Sequence, residues 1–286
     1  MAQEWSGQTG GTHWMQRALV HWVRHTDIRI MYAVTNLWLV WYMLVRSTER
    51  HGAYVFHRRR GRTRLQAACD VYRSFYHFAK AIIDRFAVYA GKSFEVTVEN
   101  SERYYDKVHD PEGFVMLFSH VGNTEMAAYF LATPDKRMHI LTFGGESPEV
   151  MSRRAEAMAQ NNIGTIIVEP ETMSHIYRIN EVLQQGEVLT MAADRRMGGA
   201  ETVCRFMDAE ARFPAGPFRI CQAIKKPVLL TFVIKESYRS YRVYTEELAP
   251  TGDLAQRFAE RVEQMALAHP YEWFNFYDFW KGEIKN

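Results

Sequence analysis

From Gly91 onward, short apolar runs alternate with amphipathic stretches, and no other feature constrains the chain as tightly. The runs at 94–98, 114–119, 139–143, 164–168, 188–192, 203–207, 228–234 and 239–245 are brief and rich in β-branched and aromatic residues, so they read as strands. Between them, 123–132, 148–162, 172–186, 215–225 and 251–268 are long enough and polar enough on one side to be helices. This alternation implies an α/β fold whose largely parallel central sheet is flanked by helices. In such sheets active groups collect where strands end and the chain turns into helices.

The first ninety residues follow a different rule. Residues 30–45 carry no charge and are interrupted only by Thr35 and Asn36. As a helix they span about 24 Å, short of the roughly 30 Å of a bilayer core. Arg17, Arg24 and Arg29 precede them, and Arg46, Arg50, Arg58, Arg59, Arg60, Arg62 and Arg64 follow with Glu49 as the single acid. Positive charge on both flanks chooses no orientation. Five tryptophans, Trp5, Trp14, Trp22, Trp38 and Trp41, fall in the same region, and their amphipathic rings suit a headgroup layer. Residues 12–46 are therefore expected to be partly embedded or to lie in the membrane interface. A following helix repeats Tyr72, Phe75, Tyr76, Ala79, Ile82, Ile83, Phe86 and Ala90 on one face, with Arg73, His77, Lys80 and Asp84 opposite. The boundary is drawn near residue 90, giving N-terminal membrane-associated helices over 1–90 and a catalytic α/β domain over 91–286.

The arginine collar suits a solvated helix face, an anionic lipid surface or an acidic carrier protein. Nucleic acid is not expected, because the collar follows apolar sequence and the whole chain carries only +2. With 47% hydrophobic and 24% charged residues the chain is globular, not disordered. Cys69, Cys204 and Cys221 form no C-x-x-C pair, so neither a disulfide framework nor a zinc ribbon is expected. The histidines show no metal-ligand spacing, and glycine-rich phosphate loops are missing, so neither metal nor cofactor is expected.

The informative stretch is 114–130. An apolar strand runs into Ser119 and His120, Val121 and Gly122 turn the chain, and Asn123 caps a helix containing Glu125. This setting can bring the Glu125 carboxylate back to one imidazole nitrogen and leave the other facing a cleft, the orienting half of a catalytic dyad. The spacing alone is weak, since chance supplies roughly one such pair in a chain with eleven histidines and 33 acids. Its place at the carboxyl end of a central strand gives it weight. A nucleophilic Ser119 or Ser147 is the alternative, and Ser147 lacks the second glycine of a nucleophile elbow.

With these residues in view the chain resembles the lysophospholipid acyltransferase superfamily, and within it the bacterial late lipid A biosynthesis acyltransferases. The likeness rests on His120 and Glu125 with four residues between them, on Ala193-Asp194-Arg195 after a strand, on Phe213-Pro214-Ala215-Gly216-Pro217-Phe218 opening a helix, and on the aromatic ending from Pro270 to Trp280. It implies a glycerolipid-acyltransferase-like fold on the cytoplasmic face of the bacterial inner membrane. The implied reaction moves a fatty acyl group from acyl carrier protein or acyl-CoA to a hydroxyl or amine of a membrane lipid. In that scheme His120 is the general base and Glu125 its partner. Asn123, Asp194 and Arg195 are implied on the substrate side, and Phe213, Pro214 and Gly216 would shape the cleft. Glu125 in place of the aspartate of glycerolipid enzymes, and Ala215 in place of their glutamate, point away from lysophosphatidic acid as acceptor. A membrane serine esterase and a catalytically silent lipid-binding protein of the same fold are the other readings.

Overall fold

A computed structural model describes residues 13–143, 161–168, 172–196 and 198–280. Four helices come first: α1 (His13–His25), α2 (Ile28–Val45), α3 (Ser47–Arg59) and α4 (Arg64–Tyr89). Then follow β1 (Glu95–Val98), α5 (Ser101–His109), β2 (Phe114–Gly122), α6 (Thr124–Leu131), β3 (Met138–Phe143), β4 (Ile163–Val168) and α7 (Ser174–Gln184). The chain continues with β5 (Val188–Ala192), β6 (Glu201–Phe206), β7 (Ala209–Pro214), α8 (Ala215–Ile224), β8 (Val228–Lys235), β9 (Ser240–Leu248) and α9 (Leu254–Ala268). The helix expected over 148–162 lies, but for its last two residues, outside the described residues.

Seven strands form one sheet in the order β1-β9-β8-β2-β5-β3-β4. Every neighbouring pair is parallel except β8 with β9, so the largely parallel α/β sheet is as expected. The central β2 is buried on both faces. Val115 and Leu117 join a core closed by α7, α8 and α9, whereas Phe114, Met116 and Phe118 point into a second core closed by α5 and α6. That two-sided burial explains why the run reads as continuously apolar.

Two elements escape the apolar pattern. Helix α5 is short and mostly polar, with only Tyr104 and Val108 buried. Strand β7 pairs with β6 in a hairpin apart from the main sheet, turning at Met207 and Asp208, both with positive φ. Met-Asp is not the Asn-Gly or Asp-Gly pair that announces such a turn.

The polar face of α4 runs from solvent at Arg73 into the protein at Asp84. Asp84 is fully buried, its Oδ2 bound by Lys235 Nζ of β8 at 2.5 Å and by the Tyr241 hydroxyl of β9, while the Tyr32 hydroxyl of α2 donates to Oδ1. Further along the same face, Arg73 reaches the Tyr271 hydroxyl at 3.1 Å and His77 lies 3.8 Å from Glu272. The opposite, apolar face takes α1 and α2, through contacts such as Tyr42 on Phe75 and the packing of Val23 and Met31 with Ile83. Helix α4 is thus a bridge with an ionic seam toward the sheet. It starts at a Thr63–Gln66 capping box and stops where Gly91, at φ +84°, lets Lys92 N–H return to the Ala87 carbonyl.

Candidate active site

Strand β2 does not stop at Ser119 as the sequence suggests but runs on through His120 to Gly122. The cause is remote in sequence: the segment after α9 returns across the carboxyl edge of the sheet as a strap. Phe274 N–H donates to the His120 carbonyl at 2.8 Å, Gly122 N–H donates to the Glu272 carbonyl at 2.8 Å, and Val121 bridges Trp273. Gly122 sits at φ +78°, where a Cβ would come within 2.1 Å of the Val233 carbonyl oxygen, so the turn into α6 needs glycine.

The parallel register decides what faces His120. Phe114 lies opposite Val188 and Phe118 opposite Ala192, and two residues further on the same offset brings His120 beside Asp194. Asp194 is fully buried. Its Oδ1 meets His120 Nδ1 at 2.7 Å, and its Oδ2 accepts the His120 backbone N–H at 2.6 Å. The side chain of His120 keeps 25% of its surface open, and with Nδ1 engaged, Nε2 is the nitrogen left to act outward.

The carboxylate on Nδ1 is therefore Asp194, where the sequence pointed to Glu125. Glu125 Oε2 meets Arg85 Nη1 of α4 at 2.5 Å, and its charge still acts on the His120 ring. Nor does Asp194 line an acceptor surface: it stands behind the imidazole, out of solvent. Arg195 is turned to the strap, with Nε donating to Asn275 Oδ1 and Nη2 to the Phe274 carbonyl, both at 2.8 Å. Asn123 occupies the cap position of α6 without a side-chain cap. Its Nδ2 donates instead to the Ala81 carbonyl at 3.1 Å and to the Tyr241 hydroxyl at 3.2 Å, pinning the turn to α4 and β9.

Phe213 is wholly inside the core, between Phe206, Phe258 and Phe279, so its part in any cleft is to hold the Pro214 turn. Gly216 in the first turn of α8 has open space where a side chain would be. Ser119 is buried, and its Oγ accepts Val121 N–H at 3.3 Å, an arrangement that presents no nucleophile; Ser147 lies outside the described residues. Asn275 is the residue that motif reading passes over. It is completely buried and donates from Nδ2 to Asp194 Oδ2 at 2.8 Å. The one signal for it is an asparagine set among the aromatics of the chain's ending.

Burial, then the Arg195 charge, push the His120 imidazole below its ordinary value, against the opposite pull of Asp194 and Glu125. Burial alone would raise Asp194, but His120, Arg195 and the backbone N–H outweigh it and hold the carboxyl below the usual carboxylate range. At neutral pH the pair is a neutral imidazole backed by an ionised acid. An imidazole–carboxylate pair at the carboxyl edge of a mostly parallel sheet suits an α/β enzyme that draws a proton from a nucleophile.

Which enzyme class this is follows from comparison with known families. The model of the bacterial lipid A biosynthesis acyltransferase family matches residues 74–282, from the middle of α4 past the end of the strap, and the chain belongs to that family. It is an acyltransferase of the lipid A class. No curated protein matches it.

Proposed function

We propose that the protein transfers a fatty acyl group from a thioester, carried on acyl carrier protein or coenzyme A, directly to a hydroxyl or amine of a membrane lipid or glycolipid. His120 Nε2 takes the proton from the acceptor as its oxygen or nitrogen attacks the thioester carbonyl carbon. The carbonyl π pair moves onto oxygen, then returns as the C–S bond breaks, and the departing thiolate takes the proton back from the imidazolium. Asp194 fixes the ring through Nδ1 and stabilises its cationic form. Glu125, held by Arg85, adds a second negative charge near the ring. Pro214 and Gly216 shape the wall of the cleft on the side of α8, braced by Phe213, and Asn123 fixes the turn from which α6 starts.

The observation that carries this reading is the 2.7 Å contact between His120 Nδ1 and a fully buried Asp194, on a ring that remains partly open. The test is transfer from palmitoyl-CoA and from palmitoyl-acyl carrier protein to bacterial membrane lipid by purified His120→Ala and Asp194→Asn variants. Each should lose about 10²–10⁴-fold in rate. Full transfer by both variants overturns the mechanism.

The same reading seats the protein on the cytoplasmic face of the bacterial inner membrane. Among the described residues one helix, α2, is long and apolar enough to cross a bilayer by length and composition. Ile28, Met31, Tyr32 and Leu39 pack inward, while Leu37, Trp38, Trp41, Leu44 and Val45 are exposed. Because α2 lies along the ion-bearing α4, tied to it by Tyr32–Asp84 and Tyr72–Asn36, we place it in the interface and not across the bilayer. The collar is partly committed within the protein: Arg62 pairs with buried Asp70 at 3.0 Å, Arg50 donates to the Met43 carbonyl and Arg59 lies over the Trp280 ring. Arg46, paired with Glu49 at the surface, Arg58, which donates to the Arg62 carbonyl, and Arg64 are the exposed collar residues on which an anionic lipid surface or an acidic carrier protein would draw.

A further inference from the structure

We propose that Asn275 is the positioning residue of the His120 site, the amide through which the C-terminal strap sets the orientation of the carboxylate behind the imidazole. This rests on the acyl-transfer mechanism above and adds to it a residue outside the histidine and acid motifs.

Asn275 stands between two opposite charges. Its Nδ2 donates to Asp194 Oδ2 at 2.8 Å and its Oδ1 accepts Arg195 Nε at 2.8 Å. The network fixes which way the amide points. Turned over, it would set oxygen against carboxylate and N–H against guanidinium. No other side chain of this size offers a donor and an acceptor at fixed separation without adding charge. Leucine would orphan both neighbours, and aspartate would put a second carboxylate against Asp194.

Interposition is what the geometry achieves. Arg195 follows Asp194 in the chain, and a direct ion pair between them would draw the carboxylate off His120. The amide gives the guanidinium a neutral acceptor instead, and Arg195 Nη2 is occupied by the Phe274 carbonyl at 2.8 Å. Asp194 Oδ2 then carries two donors, the amide and the His120 backbone N–H at 2.6 Å, which hold Oδ1 toward Nδ1. The strap that delivers Asn275 is itself tightly placed. Phe276 stacks on Phe75 at 4.6 Å, Phe274 meets Phe78 edge-on at 5.3 Å, and the Tyr277 backbone lies where a Cβ on Gly52 of α3 would be, 2.4 Å away. The charged and titratable groups around His120 are Asp194 and Arg195 after β5 and Glu125 of α6, with Tyr277 of the strap beside Asp194.

The experiment measures kcat, KM and the pH profile of transfer from palmitoyl-CoA to bacterial membrane lipid. It uses the full chain in detergent, comparing wild type, Asn275→Ala, Asn275→Asp, Asp194→Asn and His120→Ala, with thermal melts of each. Asn275→Ala lets Arg195 fall onto Asp194: kcat should drop about tenfold or more with KM for the donor within about twofold, and the acid limb should move to lower pH by about half a unit. Asn275→Asp keeps the size and the acceptor for Arg195 but adds negative charge, so its acid limb should move the other way, to higher pH. A merely structural asparagine would lower the melting temperature and the active fraction and leave both limbs in place, which overturns the proposal. So does loss of fold in both Asn275 variants while Asp194→Asn remains folded. If His120→Ala itself retains transfer, the mechanism falls and the inference with it. If His120→Ala is inactive while the Asn275 profiles match wild type, only the inference falls.

Discussion

His120 shows how a single residue's chemistry is set by neighbours of unequal weight. Burial and Arg195 favour the neutral ring, Asp194 and Glu125 the charged one, and the balance falls below the ordinary imidazole value of 6.5. A base in this state stays competent as pH falls. The acid limb of kcat/KM is therefore expected below 6.5, and removing a negative neighbour by Glu125→Gln should move it lower still; a wild-type limb at or above 6.5 contradicts the assignment. His57 applies the same logic to stability. Buried on α3, with Nδ1 receiving Arg60 Nη1 at 3.0 Å and Nε2 facing Ser74 Oγ at 2.9 Å, it titrates at about 4 in the fold instead of 6.5. The unfolded chain binds this proton more readily, so the stabilisation is complete above 6.5 and drains away as pH falls toward 4. Thermal melts of His57→Gln between neutral and mildly acid pH should show a shallower loss than wild type.

At the scale of elements, α4 deserves its polar stripe because it has two partners. Its apolar side binds α1 and α2, and its ionic side docks on β8, β9 and the strap. Breaking the Asp84–Lys235 pair by Lys235→Met leaves a buried carboxylate with two tyrosines and no cation, at a cost of about 3–5 kcal/mol; the double change Asp84→Asn, Lys235→Met should recover part of it. Chemical unfolding of the three variants measures this, and an additive double mutant would deny the coupling. The contact between α3 and the strap is equally specific. Gly52→Ala sets a methyl against the Tyr277 backbone and should cost about 1–3 kcal/mol while depressing transfer, since the strap carries Asn275. Helix periodicity revealed the two faces of α4 but not their partners, because charged side chains toward solvent and toward a buried seam follow the same spacing.

Over the whole molecule, the N-terminal helices and the carboxyl edge of the sheet are one packed unit. Phe56 of α3 stacks on Trp273, which bridges Val121 beside His120, so the N-terminal helices and the site are mechanically close. The open apolar stripe of α2 makes a prediction at this scale. Replacing Leu37, Trp38, Trp41 and Leu44 with Ser should abolish sedimentation with anionic lipid vesicles and leave the far-UV CD spectrum and thermal midpoint near wild type, since none of the four is in the core. Undiminished vesicle binding would remove α2 as the lipid-facing element.

The sequence alone determined the strand–helix alternation and the place of His120 at the carboxyl edge of the sheet, because apolar period and strand ends are local properties of a chain. The eight expected strands all occur, whereas β7 and α5 went unseen for want of a turn signal or an apolar face. Only tertiary structure chose the partner of His120. Asp194 reaches it through a strand register that joins residues 74 apart, and Asn275 through a strap a further 81 along, while Glu125, nearer in sequence, was drawn to Arg85. Charge pairing between distant segments depends on which strands lie side by side and in what register, and no local pattern encodes that.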